Sequence, residues 1–172
     1  MTDAETDPSD LRVVADYQFG GGAGAALFPA GESLSIERSR SGRPRQVKAD
    51  AGRIVSFTSY GRFTLGIEGG RRLHGEFPGT YRVTVNAESE PYVRDGRNAF
   101  AKFVRGVDPA VRPGDEVRVV NEDGDLLAVG RAELSATAAR AFDTGMAVSV
   151  REGAETGGAD RSGAADHGGA DP

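Results

Sequence analysis

Two clusters of basic residues carry the chemistry this chain offers. Arg94, Arg97, Lys102 and Arg105 surround the turn Asp95-Gly96-Arg97-Asn98, and Arg38, Arg40, Arg43, Arg45 and Lys48 place five positive charges within eleven residues, with Glu37 the acid beside them. Guanidinium, ammonium and amide groups at turns donate hydrogen bonds to phosphate and sugar oxygens, and a glycine lets a ligand backbone approach the main chain closely. That chemistry is recognition of an anionic polymer. The second cluster spans a hairpin, which makes it either a phosphate clamp or a solvated charged turn. Phe100 and Phe103 have opposite parity in an extended strand, so they cannot both face a core unless a bulge intervenes. An outward ring there would stack a base, worth ~1 to 3 kcal/mol; the alternative is that both are core aromatics. Phe103 is counted with the candidate site.

Bond-making chemistry finds little support. The chain has no cysteine and two histidines, His74 and His167, so thiolate nucleophiles, zinc ribbons, iron–sulfur sites and histidine-rich metal sites are excluded, and no cofactor is expected. His74 reads as a packing or surface residue. Gly20, Gly22 and Gly24 lack both the strand-turn-helix layout of a dinucleotide site and the lysine of a phosphate loop, and read as close packing. Asp123 and Asp125 lack the remaining ligands of a calcium loop and read as turn residues.

The charge distribution favours the same reading. The net charge is -5, but the ends carry it: residues 1–10 sum to -4 and 153–172 to -3, leaving a body of +2. Nineteen of the 21 bases are arginine, a planar fork suited to phosphate and base edges; GC-rich coding or salt adaptation would leave the same bias. The 172 residues at 38% hydrophobic suffice for one or two small cores. No run approaches ~18 apolar residues, and the acidic N-terminus is unlike a signal peptide, so a cytoplasmic location is expected.

The elements that must hold the basic clusters are mostly short strands. Residues 1–10 and 153–172 are expected to be disordered, the latter with six glycines, five alanines and four acids. An apolar, glycine-rich segment ending before Pro29 suggests a short helix. Alternating runs at 34–38, 45–48, 53–58 and 62–67, separated by glycine turns, predict a four-stranded antiparallel meander, followed by a helix over about 70–77. This forms an α+β module over 11–79. In 80–152, strands are predicted at 81–85, 99–104, 116–120, 126–132 and 147–151. Asp123-Gly124 serves as a hairpin turn and a helix over 135–143 is capped by Ser135. Short strands joined by tight turns, with one helix, predict a small β pseudobarrel.

The order Asp95-Gly96-Arg97-Asn98-Ala99-Phe100-Ala101-Lys102-Phe103-Val104, Arg112-Pro113-Gly114-Asp115-Glu116-Val117, Asp123-Gly124-Asp125-Leu126-Leu127-Ala128-Val129-Gly130-Arg131-Ala132 and Gly145-Met146-Ala147-Val148 resembles the PUA domain over about 80–152. Asp16-Tyr17-Gln18-Phe19-Gly20, Leu27-Phe28-Pro29 and Ile36-Glu37-Arg38-Ser39 with Gly42-Arg43 and Arg45 are similar to the module preceding PUA in archaeal tRNA-guanine transglycosylases and archaeosine synthases. The resemblance implies RNA binding, in the transglycosylases to the acceptor stem and 3′ end of tRNA. It places the Gly96 turn, the segment after it and the last strand on the RNA-facing side, which adds Arg131 and Arg151 to the candidates. Those enzymes also carry a catalytic barrel with aspartates and a zinc site, for which these residues have no counterpart.

The expectation is therefore a non-enzymatic RNA-binding protein connected with tRNA base modification. Its expected partners are RNA and a transglycosylase or archaeosine synthase, with no metal and no membrane. The alternative is an accessory subunit that recognises a protein such as a transglycosylase or a ribosome-assembly factor. A stand-alone enzyme would need a catalytic constellation that these residues do not supply.

Overall fold

The computed structural model describes residues 8–155. The tails expected over 1–7 and 156–172 lie outside the described residues. The chain divides into two compact units, Met1–Pro78 and Gly79–Pro172.

The first unit opens with a helix that was not expected, α1 (Pro8–Phe19), which takes in residues 8–10 of the supposed tail. Proline suits the first helical position, where its missing N–H would be unpaired anyway. Leu11, Ala15 and Phe19, four apart, are the residues α1 buries. A second helix, α2 (Ala23–Leu27), lies against it at short range: a Cβ on Gly24 would come within 2.4 Å of the Arg12 carbonyl oxygen. The Asp16 carboxylate accepts the Gly24 N–H at 2.6 Å, and Arg12 Nε donates to the Phe28 carbonyl at 2.7 Å.

The meander follows as β1 (Ser35–Arg38), β2 (Pro44–Ala49), β3 (Gly52–Phe57) and β4 (Phe63–Leu65), antiparallel in sequence order. Gln18 of α1 brackets edge strand β4, its amide donating to the Phe63 carbonyl at 2.9 Å and accepting the Phe63 N–H at 2.7 Å. Ile54 and Val55, adjacent and of opposite parity, are both fully buried, so β3 is covered on both faces where a single buried face was expected. Helix α3 (Ile67–Glu76) sits close to that strand because Gly66 and Gly69 have no Cβ; one would lie 2.3 Å from the Arg53 oxygen or 2.2 Å from the Ile54 oxygen.

The second unit is a six-stranded sheet curled into a nearly closed barrel. Its strands are β5 (Arg82–Val85), β6 (Ala99–Phe100), β7 (Val104–Val107), β8 (Glu116–Val120), β9 (Leu126–Ala132) and β10 (Met146–Gly153), in the order β6-β10-β9-β8-β5-β7. Only β5 and β8 run parallel among the described pairs. The two edge strands, β6 and β7, are consecutive in sequence, joined by a 3-10 turn over Ala101–Phe103. One short segment therefore connects the two edges of the sheet and closes the barrel. The single strand expected over 99–104 is corrected accordingly: it is two strands on opposite edges, because the closing segment must leave one neighbour and join another.

Helix α4 (Glu90–Arg94) precedes that segment, and α5 (Ala136–Ala141) is capped by the Ser135 hydroxyl, which accepts the Ala138 N–H at 3.1 Å. The core is rich in valine: Val83, Val85, Val117, Val119 and Val148 are essentially inaccessible. All five residues of β8 are buried, including Arg118, whose guanidinium donates to the carbonyl and, at 3.2 Å, the hydroxyl of Thr80. Burial, reinforced by the Arg82 charge, pushes the Arg118 pKa down to about 10. Gly153, expected in a tail, ends β10 instead.

Candidate nucleic-acid interface

The Gly96 turn is the C-terminus of α4. Gly96 has φ +99°, its N–H bonds to the Val93 carbonyl at 2.9 Å, and the Arg97 N–H reaches the Tyr92 carbonyl at 2.9 Å. These two bonds form the Schellman closure of a helix, which needs a left-handed residue and favours glycine. The left-handed backbone of Gly96 thus has a structural cause. The close main-chain approach expected from a nucleic acid is also partly made from within: a Cβ on Gly153 would lie 2.7 Å from the Gly96 nitrogen and 2.2 Å from the Arg94 oxygen.

The same closure aims Arg97. Its guanidinium carbon lies 6.0 Å from the ring centroid of Tyr92, which is 57% exposed. An arginine held over a tyrosine presents a flat, cationic, solvated face, fit for a phosphate or an unstacked base. Lys102, on the 3-10 turn, is exposed with its ammonium 5.1 Å from the Phe103 ring centroid, and Arg105 on β7 is exposed, donating to the Val104 carbonyl at 3.3 Å. Among the described residues, no carboxylate pairs with Arg97, Lys102 or Arg105. The turn also replaces strand parity. Phe100 is 45% exposed while Phe103 is half-buried, so the outward ring is the one left out of the expected site.

The remaining candidates of this unit are engaged. Arg94 is ion-paired with Glu90 one turn earlier at 2.8 Å. Asn98 accepts the Val150 N–H at 2.9 Å and so holds β10 in place. Arg131 pairs with Glu133 at 3.1 Å, and Arg151 grips both oxygens of the buried Glu116 at 2.7 Å. The charges of Arg94, Arg131 and Arg151 are already matched.

In the first unit the basic hairpin is similarly sorted. Lys48 pairs with Glu37 at 2.8 Å, and Arg38 donates to the Gly42 carbonyl at 3.1 Å, bracing its own turn. Arg40, Arg43 and Arg45 are exposed and make no ion pair among the described residues. Arg72 of α3 is internal: it binds Glu32 at 2.7 Å, Glu68 at 2.8 Å and the Leu27 carbonyl at 3.0 Å. Arg71 lies 3.5 Å from Glu68. An open cleft of about 680 Å³ between the β1–β2 and β3–β4 turns includes Arg43 and Arg45 in its wall.

Tyr92 was missed, although its signals were present: Ser89, Glu90 and Pro91 are residues that start helices, and a short helix ending at Gly96 sets the tyrosine beside Arg97. Tyr60, in the β3–β4 turn, is 74% exposed. Groups of three or more potential metal ligands are absent among the described residues. No described helix is long and apolar enough to cross a membrane.

Residues 9–79 match the patch-forming domain C2 of tRNA-guanine transglycosylase, and residues 81–154 match the PUA domain. The chain is 46% identical over 147 residues to a tRNA-guanine(15) transglycosylase of Pyrococcus furiosus, covering 84% of this chain and 24% of that protein. It is 44% identical over 160 residues to the corresponding protein of Methanothermobacter thermautotrophicus, covering 89% and 24%. The chain thus spans about a quarter of the length of these relatives. Among solved structures, a hypothetical protein of Pyrococcus horikoshii superposes with a TM-score of 0.67 at 18% identity, covering 86% of this chain and 89% of that one. A PUA domain protein of Thermoplasma acidophilum gives 0.62 at 20%, covering 86% and 91%. At such identities these two show the fold.

Proposed function

Taking the chain as a patch-forming C2 domain joined to a PUA domain, we propose that it is a non-enzymatic RNA-binding protein that grips tRNA, by the acceptor stem or 3′ end, in connection with tRNA base modification. The observation that carries this reading is the Arg97 guanidinium held 6.0 Å from the ring centroid of exposed Tyr92, on the same domain as Lys102 and Arg105, which have no ion pair among the described residues. An A-form stem hides its base edges in a deep groove, so a protein holds it through phosphates, 2′-hydroxyls and unstacked terminal bases. Arg97, Lys102 and Arg105 supply the phosphate donors, while Tyr92 and Phe100 supply flat faces. The relatives named for tRNA-guanine transglycosylation point to tRNA as the substrate class.

The test is tRNA binding followed by fluorescence anisotropy over a salt series. Affinity is expected to fall with salt as counterions are released, and Arg97→Glu is expected to weaken binding at least tenfold and flatten the salt slope by about 1. Unchanged affinity in that variant would remove Arg97 from the interface. A second reading, docking to a protein such as a transglycosylase or a ribosome-assembly factor, draws on α1, where Val13 and Tyr17, one turn apart, are 67% and 94% exposed. A complex that survives ribonuclease, with no binding of free tRNA, would select it.

A further inference from the structure

The cleft in the first unit has a composition of its own. Its wall includes Ser39, Ser41 and the two arginines from the β1–β2 side, and Ser56, Thr58 and Ser59 from the β3–β4 side, with Phe57 among them and no carboxylate. At about 680 Å³ it falls within the ~300 to 1,000 Å³ of small-molecule pockets. The turns that form it are braced locally. Ser39 Oγ accepts the Arg43 N–H at 3.2 Å and lies 3.0 Å from Ser41 Oγ, while Thr58 Oγ1 both accepts the Arg62 N–H and donates to the Arg62 carbonyl at 2.9 Å. The nearby acid, Glu37, is occupied by Lys48 at 2.8 Å and by the Gln46 amide at 2.7 Å, and these hydrogen bonds hold its carboxyl below the usual range. Lys48 is the ion-pair partner of Glu37, to which the Arg45 charge adds a smaller contribution, while Arg43 makes no ion pair among the described residues.

We propose that this cleft binds one nucleotide of a single-stranded RNA segment. Its phosphate lies against Arg43 and Arg45, its ribose against the serine hydroxyls, and its base against Tyr60, which lies in the chain between the wall residues Ser59 and Gly61 and is 74% exposed. Two guanidiniums alone would suit any anion. Hydroxyls beside them match a sugar with a 2′-OH, and an exposed aromatic in the same turn supplies the stacking face that sequence-tolerant single-strand binding uses. The inference rests on the RNA-binding reading and extends it to the other domain, adding serine hydroxyls and Tyr60 to two arginines of the basic hairpin.

The experiment titrates the full chain, labelled with nitrogen-15, with the ribo-tetranucleotide rA4, inorganic phosphate or hexaglutamate, following amide shifts. With rA4, the amides of 39–45 and 56–61 are expected to move. Arg43→Glu combined with Arg45→Glu is expected to weaken that titration at least tenfold, and Tyr60→Ala about fivefold. Arg43 and Tyr60 are in exposed turns and Arg45 is an exposed position of β2, and an otherwise unchanged spectrum confirms that each variant is folded. Arg97→Glu leaves the cleft titration intact. Absence of shifts at the cleft, equal shifts with phosphate alone, or tighter binding of hexaglutamate at the same amides would each overturn the proposal. Intact tRNA binding with a silent cleft sinks this inference alone, whereas a responsive cleft with tRNA binding indifferent to Arg97→Glu sinks the PUA-face reading alone.

Discussion

Arg151→Ala separates a structural arginine from a nucleic-acid ligand. In the structure Arg151 of β10 reaches past β9 to Glu116 of β8 with two 2.7 Å hydrogen bonds, and Glu116 is 5% exposed. Truncating one partner of a fully buried pair costs about 3 to 5 kcal/mol, because the other charge stays behind unpaired. The Arg151 side chain is 28% exposed, so water reaches the carboxylate once the guanidinium is gone, and the expected loss is nearer 2 to 3 kcal/mol. At 4 to 8 °C per kcal/mol for a domain of this size, the thermal midpoint drops by about 10 to 20 °C. Replacing both partners, Glu116→Gln with Arg151→Met, is expected to recover most of that loss. The assay is calorimetry or circular dichroism on the three proteins, with tRNA anisotropy measured well below the transition. Affinity there is expected to stay within twofold. A midpoint within 2 °C of the parent combined with lost tRNA affinity would refute the reasoning and return Arg151 to the RNA surface.

Gly96→Ala forces a Cβ into a backbone at φ +99° and is expected to cost about 1 to 2 kcal/mol, read as a lower urea midpoint at unchanged slope. Gly24→Ala drives a methyl into the Arg12 backbone at 2.4 Å and should destabilise the first unit by about 1 to 3 kcal/mol while leaving the second unit's transition alone. Arg72→Met strips Glu32 of its counterion and leaves the nearly buried Glu68 with only Arg71, at 3.5 Å, among the described residues, and is expected to cost about 2 to 3 kcal/mol. The hydrogen bond from Arg72 holds the Glu32 carboxyl below its ordinary 4.5, so the stabilisation is complete above that pH and disappears as acid protonates the group. Urea midpoints at pH 7 and pH 3 should therefore differ less in Arg72→Met than in the parent.

The sequence made some of this legible because its cause is local. Strands β1 to β4 announce themselves by alternation between glycine turns, and Ser135 caps α5 by side-chain chemistry that any helix start would use. Helix α1 was obscured because its buried residues, Leu11, Ala15 and Phe19, form a narrow stripe that follows directly on an acidic run. The fate of each arginine divides along the same line. Glu90 is four residues before Arg94, a helical ion pair open to inspection. Glu116 and Arg151 are 35 residues apart and meet only once β8 and β10 flank β9. Pattern alone identifies a basic cluster, and the fold decides which of its charges stay uncompensated.

That decision turns on how the barrel closes. Residues 99–104 contain no glycine, proline or other breaker, so nothing local marks the 3-10 turn at Ala101–Phe103; it exists because β6 and β7 must sit on opposite edges of one sheet. The turn is pinned from both sides, the Ala101 N–H donating to the Gly145 carbonyl at 2.9 Å and the Phe103 carbonyl accepting the Asn86 N–H at 3.0 Å. Lys102 thus projects from a segment fixed at each end, with Arg97 before it at the Gly96 closure and Arg105 after it on β7. Cations mounted in this way lose little further main-chain freedom on binding, so the ordering penalty that weakens flexible charged loops is reduced. The proposed RNA contact therefore rests on the closing seam of the barrel more than on the number of arginines.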